Sequence, residues 1–201
     1  MNGINPARKI VVGITGASGA PYAARLLTVL AAQQQAGTLV EVAVVLSPTA
    51  PEVWGLECGG HPKDLGLPLW HGRNYQAPFA SGSAGWDSMV VVPCSMGTAG
   101  RIAHGISDSL LTRAADVMLK ERRRLLVVPR EMPWSILHLE NLAILARAGA
   151  LIMPASPSFY GKPTTVVDLI DTVVSRILDQ LDLPNKLGHR WGDPHQPGSP
   201  S

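Results

Sequence analysis

Five short, almost unbroken apolar runs punctuate the chain: Lys9 to Thr15, Val40 to Leu46, Ser88 to Val92, Leu125 to Val128 and Ala150 to Met153. Rich in β-branched residues and lacking polar alternation, they read as strands buried on both faces. Between and after them, Pro21 to Gln35, Ser109 to Glu121, Ile136 to Ala148 and Thr165 to Leu181 space apolar residues three and four apart, the repeat of a helix with one buried stripe. Pro21 suits a first helical turn, and Gly37 and Gly149 stand where helices end. Strand and helix alternate, so the pattern predicts an α/β fold: a doubly wound, Rossmann-like, mostly parallel sheet with helices on both faces, three layers in αβα order.

Two stretches lack this regularity. Cys58 to Trp86 is rich in Gly, Pro, Ser and His and reads as a long functional loop. Beyond Leu183 the sequence turns polar and proline-rich. We therefore expect one domain over residues 1–183 and a C-terminal extension over 184–201 whose last residues lack order.

Composition narrows the function classes. The 201 residues carry 17 basic and 15 acidic side chains, a net charge of +2, which gives no field suited to nucleic acid. Arg122-Arg123-Arg124 reads as a solvated helix end ahead of a strand. Two cysteines without a paired motif, Cys58 and Cys94, fit a reducing compartment, and we expect a cytoplasmic location. The apolar stretch after Arg8-Lys9 is interrupted by Gly13, Thr15, Gly16, Ser18 and Gly19, so neither export nor membrane insertion is expected. The six histidines show no ligand spacing, and no metal is expected.

In a sheet of this class ligands bind beyond the carboxyl ends of the strands. Gly16-Ala17-Ser18-Gly19 follows the first strand, Ser47 the second, Cys94-Ser95-Met96-Gly97-Thr98 the third and Arg130-Glu131 the fourth. The first turn departs from the dinucleotide fingerprint and lacks the lysine of a P-loop. Its small residues and the helix behind it suit a phosphate, although a tight structural turn reads the same way. Ser95 and Thr98 suit a ribityl chain, or cap a helix. Arg113, Lys120, Arg130 and Arg176, with Tyr160, suit a phosphate, although their spacing alone does not bring them together. Glu131 is an acid/base candidate or one half of a surface ion pair. Cys94 reads as a buried thiol, and His138-Leu139-Glu140 as a capping or surface segment.

Several stretches together resemble the UbiX-type flavin prenyltransferases. They are Gly13-Ile14-Thr15-Gly16-Ala17-Ser18-Gly19-Ala20, Pro93-Cys94-Ser95-Met96, Arg113-Ala114-Ala115-Asp116-Val117, Leu119-Lys120-Glu121-Arg122-Arg123, Pro129-Arg130-Glu131, His138-Leu139-Glu140-Asn141, Phe159-Tyr160 and Arg176-Ile177-Leu178-Asp179. The resemblance implies metal-independent transfer of a dimethylallyl group from its phosphate ester, dimethylallyl phosphate, to N5 and C6 of reduced FMN. The product, prenylated FMN, would serve a partner decarboxylase.

The resemblance assigns FMN contacts to Gly16, Ala17, Ser18, Ser47, Ser95, Met96, Gly97, Thr98 and Arg130. Lys120, Tyr160 and Arg176 would hold the substrate phosphate, Glu131 would move protons, and Arg113 would support the anionic site. Tyr75 and Trp191 are candidates to face the allyl group. Gly97 stands where many relatives carry lysine, and Tyr75 where some carry tryptophan. The resemblance also implies a homododecamer with sites between subunits. An FMN-dependent decarboxylase of cysteinyl compounds and a non-catalytic flavin carrier are the rival readings.

Overall fold

The computed structural model describes residues 8–37, 40–188 and 190, and there the alternation becomes a six-stranded, all-parallel sheet. Its strands are β1 (Arg8–Ile14), β2 (Val40–Leu46), β3 (Leu69–Trp70), β4 (Ser88–Cys94), β5 (Arg124–Pro129) and β6 (Leu151–Ile152). The helices are α1 (Ala20–Gln35), α2 (Ala50–Glu57), α3 (Met96–Ala103), α4 (Leu110–Lys120), α5 (Ile136–Arg147) and α6 (Val166–Gln180).

Across the sheet the order is β3-β2-β1-β4-β5-β6. The chain winds outward from β1 to one edge, then returns to the far side of β1 and winds outward again. This reversal opens a crevice beyond the carboxyl ends of β1 and β4, the position where such sheets take up ligands.

The chain divides into two compact units between Ala155 and Ser156. In the first, Ile10, Val11, Val12 and Ile14 of β1 have no exposed surface, and all of β4 is buried. Ala23, Leu26, Leu27 and Leu30 form the buried stripe of α1. Val11, Met89, Val91, Leu125 and Val127 share another cluster with Leu111, Ala115 and Met118 of α4. Gly13 allows this close approach, since a β-carbon there would stand 3.0 Å from Met89 Cε and 3.2 Å from Leu111 Cγ.

Gly37 and Gly149 follow α1 and α5 with positive φ, and Pro21 lies in the first turn of α1. Ser135 caps α5 in a reciprocal box in which His138 Nδ1 accepts the Ser135 N–H at 3.2 Å. In the second unit, Thr165 caps α6 while Asp168 accepts the N–H groups of Thr164 and Thr165.

Three elements go beyond the sequence pattern. Short α2 buries only Ala50 and Trp54, too little apolar spacing to register as a helix. The turn expected after the third apolar run is the head of α3, whose Gly97 and Gly100 mask a helical signal. The stretch from Cys58 to Trp86 contains β3 and the 3₁₀ turns Pro62–Leu65, Pro78–Ala80 and Gly82–Ala84. Phe79, fully buried, holds it by edge contacts to Trp70 and Trp86, with ring centroids 5.8 and 5.4 Å away. The tail from Trp191 to Ser201, expected to end in disorder, lies outside the described residues.

Candidate active site

The tips of β1 and β4 are tied together by Thr15. Its buried hydroxyl donates to the Pro93 carbonyl at 2.7 Å and accepts the N–H groups of Ser95 at 2.9 Å and Ala17 at 3.3 Å. One side chain thus sets the spacing of both turns expected to bind ligand.

The head of α1 differs from an open phosphate cradle. Gly19 takes φ 118°, and the N–H groups of Gly19 and Ala20 both donate to Glu57 Oε2 at 2.8 Å. Arg130 Nε donates to the Ser18 carbonyl at 2.7 Å. Burial pushes the Glu57 carboxyl up, but hydrogen bonds from the Ser18 hydroxyl and the two N–H groups, with the Arg130 charge, hold it below its ordinary value. The expected anion position is therefore filled by a carboxylate of α2, a residue that no local sequence signal marked.

Beside this turn a cavity of about 600 Å³ opens at the crevice. Gly16 lines it from β1, and Ser47 and Thr49 from the end of β2. A β-carbon at position 16 would overlap the Thr49 hydroxyl and stand 2.7 Å from Thr49 Cβ. Ser95, Thr98 and Arg101, three residues apart, present one face of α3. Ser95 caps that helix, accepting the Thr98 N–H at 3.3 Å, and its hydroxyl also donates to Thr98 Oγ1 at 3.0 Å. Capping and cavity lining are here the same act. Asp108, Ser109 and Thr112 enclose the cavity from the start of α4, and His71 and Arg73 from the segment after β3. Volume and lining fall within the range of small-molecule sites.

Of the residues named from the sequence, Gly16, Ser47, Ser95 and Thr98 line this cavity. Ala17 and Ser18 lie in the adjoining turn. Met96 is buried in the core, and Gly97 contributes a carbonyl that accepts from Arg101 Nη1 at 3.1 Å. Glu131 is exposed beyond β5, its Oε1 accepting the Met132 N–H at 3.1 Å. Tyr75 is about half exposed, two residues past Arg73.

Lys120 ends α4 shortly before β5 begins, at the opposite edge of the sheet from the strand tips, and pairs with Glu121. Arg113 bonds the Ala80 carbonyl at 3.2 Å and Asp116 at 2.9 Å. In the second unit, Arg176 pairs with Asp179 at 2.9 Å, and Tyr160 is exposed. Trp191 lies outside the described residues. One copy of the first unit thus assembles the cavity but does not bring Lys120 to it. Arg73, Arg101, Asp108 and Thr15 went unmarked in the sequence; the Ser95-x-x-Thr98-x-x-Arg101 spacing signals a polar face once α3 is recognised as a helix.

A family model described as flavoprotein matches residues 2–178. The chain is also 47% identical over 186 residues to the flavin prenyltransferase UbiX of Thermoplasma acidophilum, covering 91% of this chain and 99% of that relative. The chain belongs to the UbiX branch of the flavoprotein family. Among solved UbiX-type structures, AnUbiX (PadA1) in complex with FMN and dimethylallyl pyrophosphate matches with a TM-score of 0.86 at 42% identity, covering 92% of this chain and 98% of that one. A dodecameric FMN-dependent UbiX-like decarboxylase from Escherichia coli O157:H7 matches with a TM-score of 0.86 at 41% identity over 91% and 98% of the two chains.

The UbiX match spans both compact units. Within the fold, Cys94 is fully buried and its thiol pushed up to about 12 by burial, which leaves it protonated and without a nucleophilic role. No helix among the described residues is long and apolar enough to cross a membrane.

Proposed function

We infer that the chain is a flavin prenyltransferase that transfers a dimethylallyl group from dimethylallyl phosphate to reduced FMN, without a metal ion. The observation that carries this reading is 47% identity to a UbiX prenyltransferase over nearly the whole of both chains. The cavity suits the flavin: its hydroxyls at Ser47, Ser95, Thr98, Ser109 and Thr112 match a ribityl chain, and Gly16 lines it with backbone alone. Reduced FMN supplies the electron-rich N5 and C6 that accept the five-carbon group.

The remaining roles fall to the protein. Gly16, Ala17, Ser18, Ser47, Ser95, Met96, Gly97, Thr98 and Arg130 contact the flavin. Lys120, Tyr160 and Arg176 hold the departing phosphate, where fixed positive charge favours breaking the carbon–oxygen bond. Arg113 supports that anionic site, Glu131 takes up or returns the proton, and Tyr75 and Trp191 face the developing allyl cation.

Lys120 reaches the site from another copy of the chain in a homo-oligomer, by analogy with the dodecameric relative. An apolar surface supports assembly: Met132, Ile136, Leu137 and Leu139 are exposed together around the start of α5. The product is handed to a decarboxylase in the cytoplasm.

Anaerobic incubation with reduced FMN and dimethylallyl phosphate tests the reading. Mass spectrometry should find the flavin heavier by one dimethylallyl group, and an unchanged flavin mass would refute it. Glu131→Gln should bind FMN normally but form prenylated flavin at least tenfold more slowly. An unchanged rate in that variant would remove Glu131 from the chemistry.

A further inference from the structure

We propose that Arg101, with Arg73 facing the same cavity, binds the phosphate of the flavin nucleotide and makes this chain select FMN over its dephosphorylated form, riboflavin. The inference rests on the flavin reading above and adds to it a residue pair and a selectivity.

The cavity is lined mainly by neutral groups, with hydroxyls near the strand tips and apolar surface at Leu46 and Leu111. Its charged residues are Arg73, Arg101 and Asp108. Arg101 Nε bonds Asp108 Oδ2 at 3.2 Å, and the other oxygen of Asp108 lies 3.3 Å from the Thr112 hydroxyl, so the single carboxylate is already engaged.

Arg101 spends one further N–H on the Gly97 carbonyl at 3.1 Å. A guanidinium has five N–H donors in a planar fork, and three of these remain for a ligand. Among the described residues nothing pairs with Arg73. The cavity wall thus carries a surplus of positive charge and unspent planar donors, which match a phosphate monoester and have no counterpart in a ribityl chain or an isoalloxazine ring.

Gly97 contributes to the placement. Its carbonyl accepts from Arg101 Nη1 at 3.1 Å and so draws the guanidinium back toward the start of α3. Asp108 acts as the positioning residue, anchoring Nε while the Gly97 carbonyl holds Nη1.

The test titrates the full-length protein with FMN and with riboflavin, following flavin fluorescence. The unaltered chain should bind FMN at least tenfold more tightly than riboflavin. Arg101→Gln should weaken FMN by about 10- to 100-fold, the range of a lost charge-assisted contact, with riboflavin affinity unchanged. Arg73→Gln should act in the same direction.

The double variant Arg101→Gln with Asp108→Asn separates loss of the cation from exposure of a stranded carboxylate. FMN affinity restored in the double variant would overturn the proposal. Equal weakening of both flavins by Arg101→Gln, or none for FMN, would overturn it as well. If the unaltered chain bound FMN and riboflavin equally, the flavin reading would stand and the selectivity would fall. If it bound neither, both would fall.

Discussion

At the scale of single residues, the strand tips are governed by groups without spare freedom. Thr15 is one: its hydroxyl serves three backbone partners while buried. Thr15→Val keeps the shape but strands the Ser95 and Ala17 N–H groups, and should cost about 1–3 kcal/mol in urea unfolding. Gly16→Ala drives a methyl into Thr49 and should cost a comparable ~1–3 kcal/mol from overpacking, with most of the loss recovered in Gly16→Ala combined with Thr49→Gly.

Glu57 gives a pH dependence whose sign follows from its lowered carboxyl. A group held lower in the folded state stabilises the protein above its ordinary value of 4.5 and loses that contribution as pH falls through the folded value. Melting temperatures followed from pH 7 to about pH 3 should fall less steeply on the acid side for Glu57→Gln than for the unaltered chain.

At the scale of elements, the long strands were legible because burial on both faces leaves little room for polar residues. Helices α1, α4, α5 and α6 were legible because each carries an apolar stripe long enough to repeat. Short α2 and α3 were not: two buried anchors in the first and two glycines in the second leave no sustained period. The site suffered most from this gap. Ser95 and Thr98 were visible as hydroxyls after a strand, but Arg101 gains meaning only when α3 aligns it with them, and Glu57 only when α2 folds back on the head of α1.

Capping was legible too, and it offers a clean measurement. Ser135→Ala removes the acceptor for the His138 N–H and should destabilise by about 1 kcal/mol, with flavin binding unaffected. A change in flavin affinity in that variant would instead connect α5 to the cavity.

At the scale of the whole molecule, the strand order gathers distant segments at one crevice while leaving other functional candidates elsewhere. Lys120 illustrates the division, because a helix returning from the strand tips must end at the other edge of the sheet. Assembly would resolve it. Ile136→Asp with Leu139→Asp, on the exposed apolar surface near α5, should lower the mass found by sedimentation and abolish prenyl transfer together. A smaller species that kept full activity would show that one copy suffices.

Cys94 offers a view of the same region over time. It ends β4, next to cavity-lining Ser95, and is wholly enclosed, whereas Cys58 is exposed. A thiol-specific dye should therefore label one position in the folded protein at once and the second only when the core cluster that Cys94 shares with Met96, Ala99 and Leu142 comes apart beside the crevice. That second, slow reaction is a clock for the opening of the binding region, and a ligand that seals the crevice should slow it.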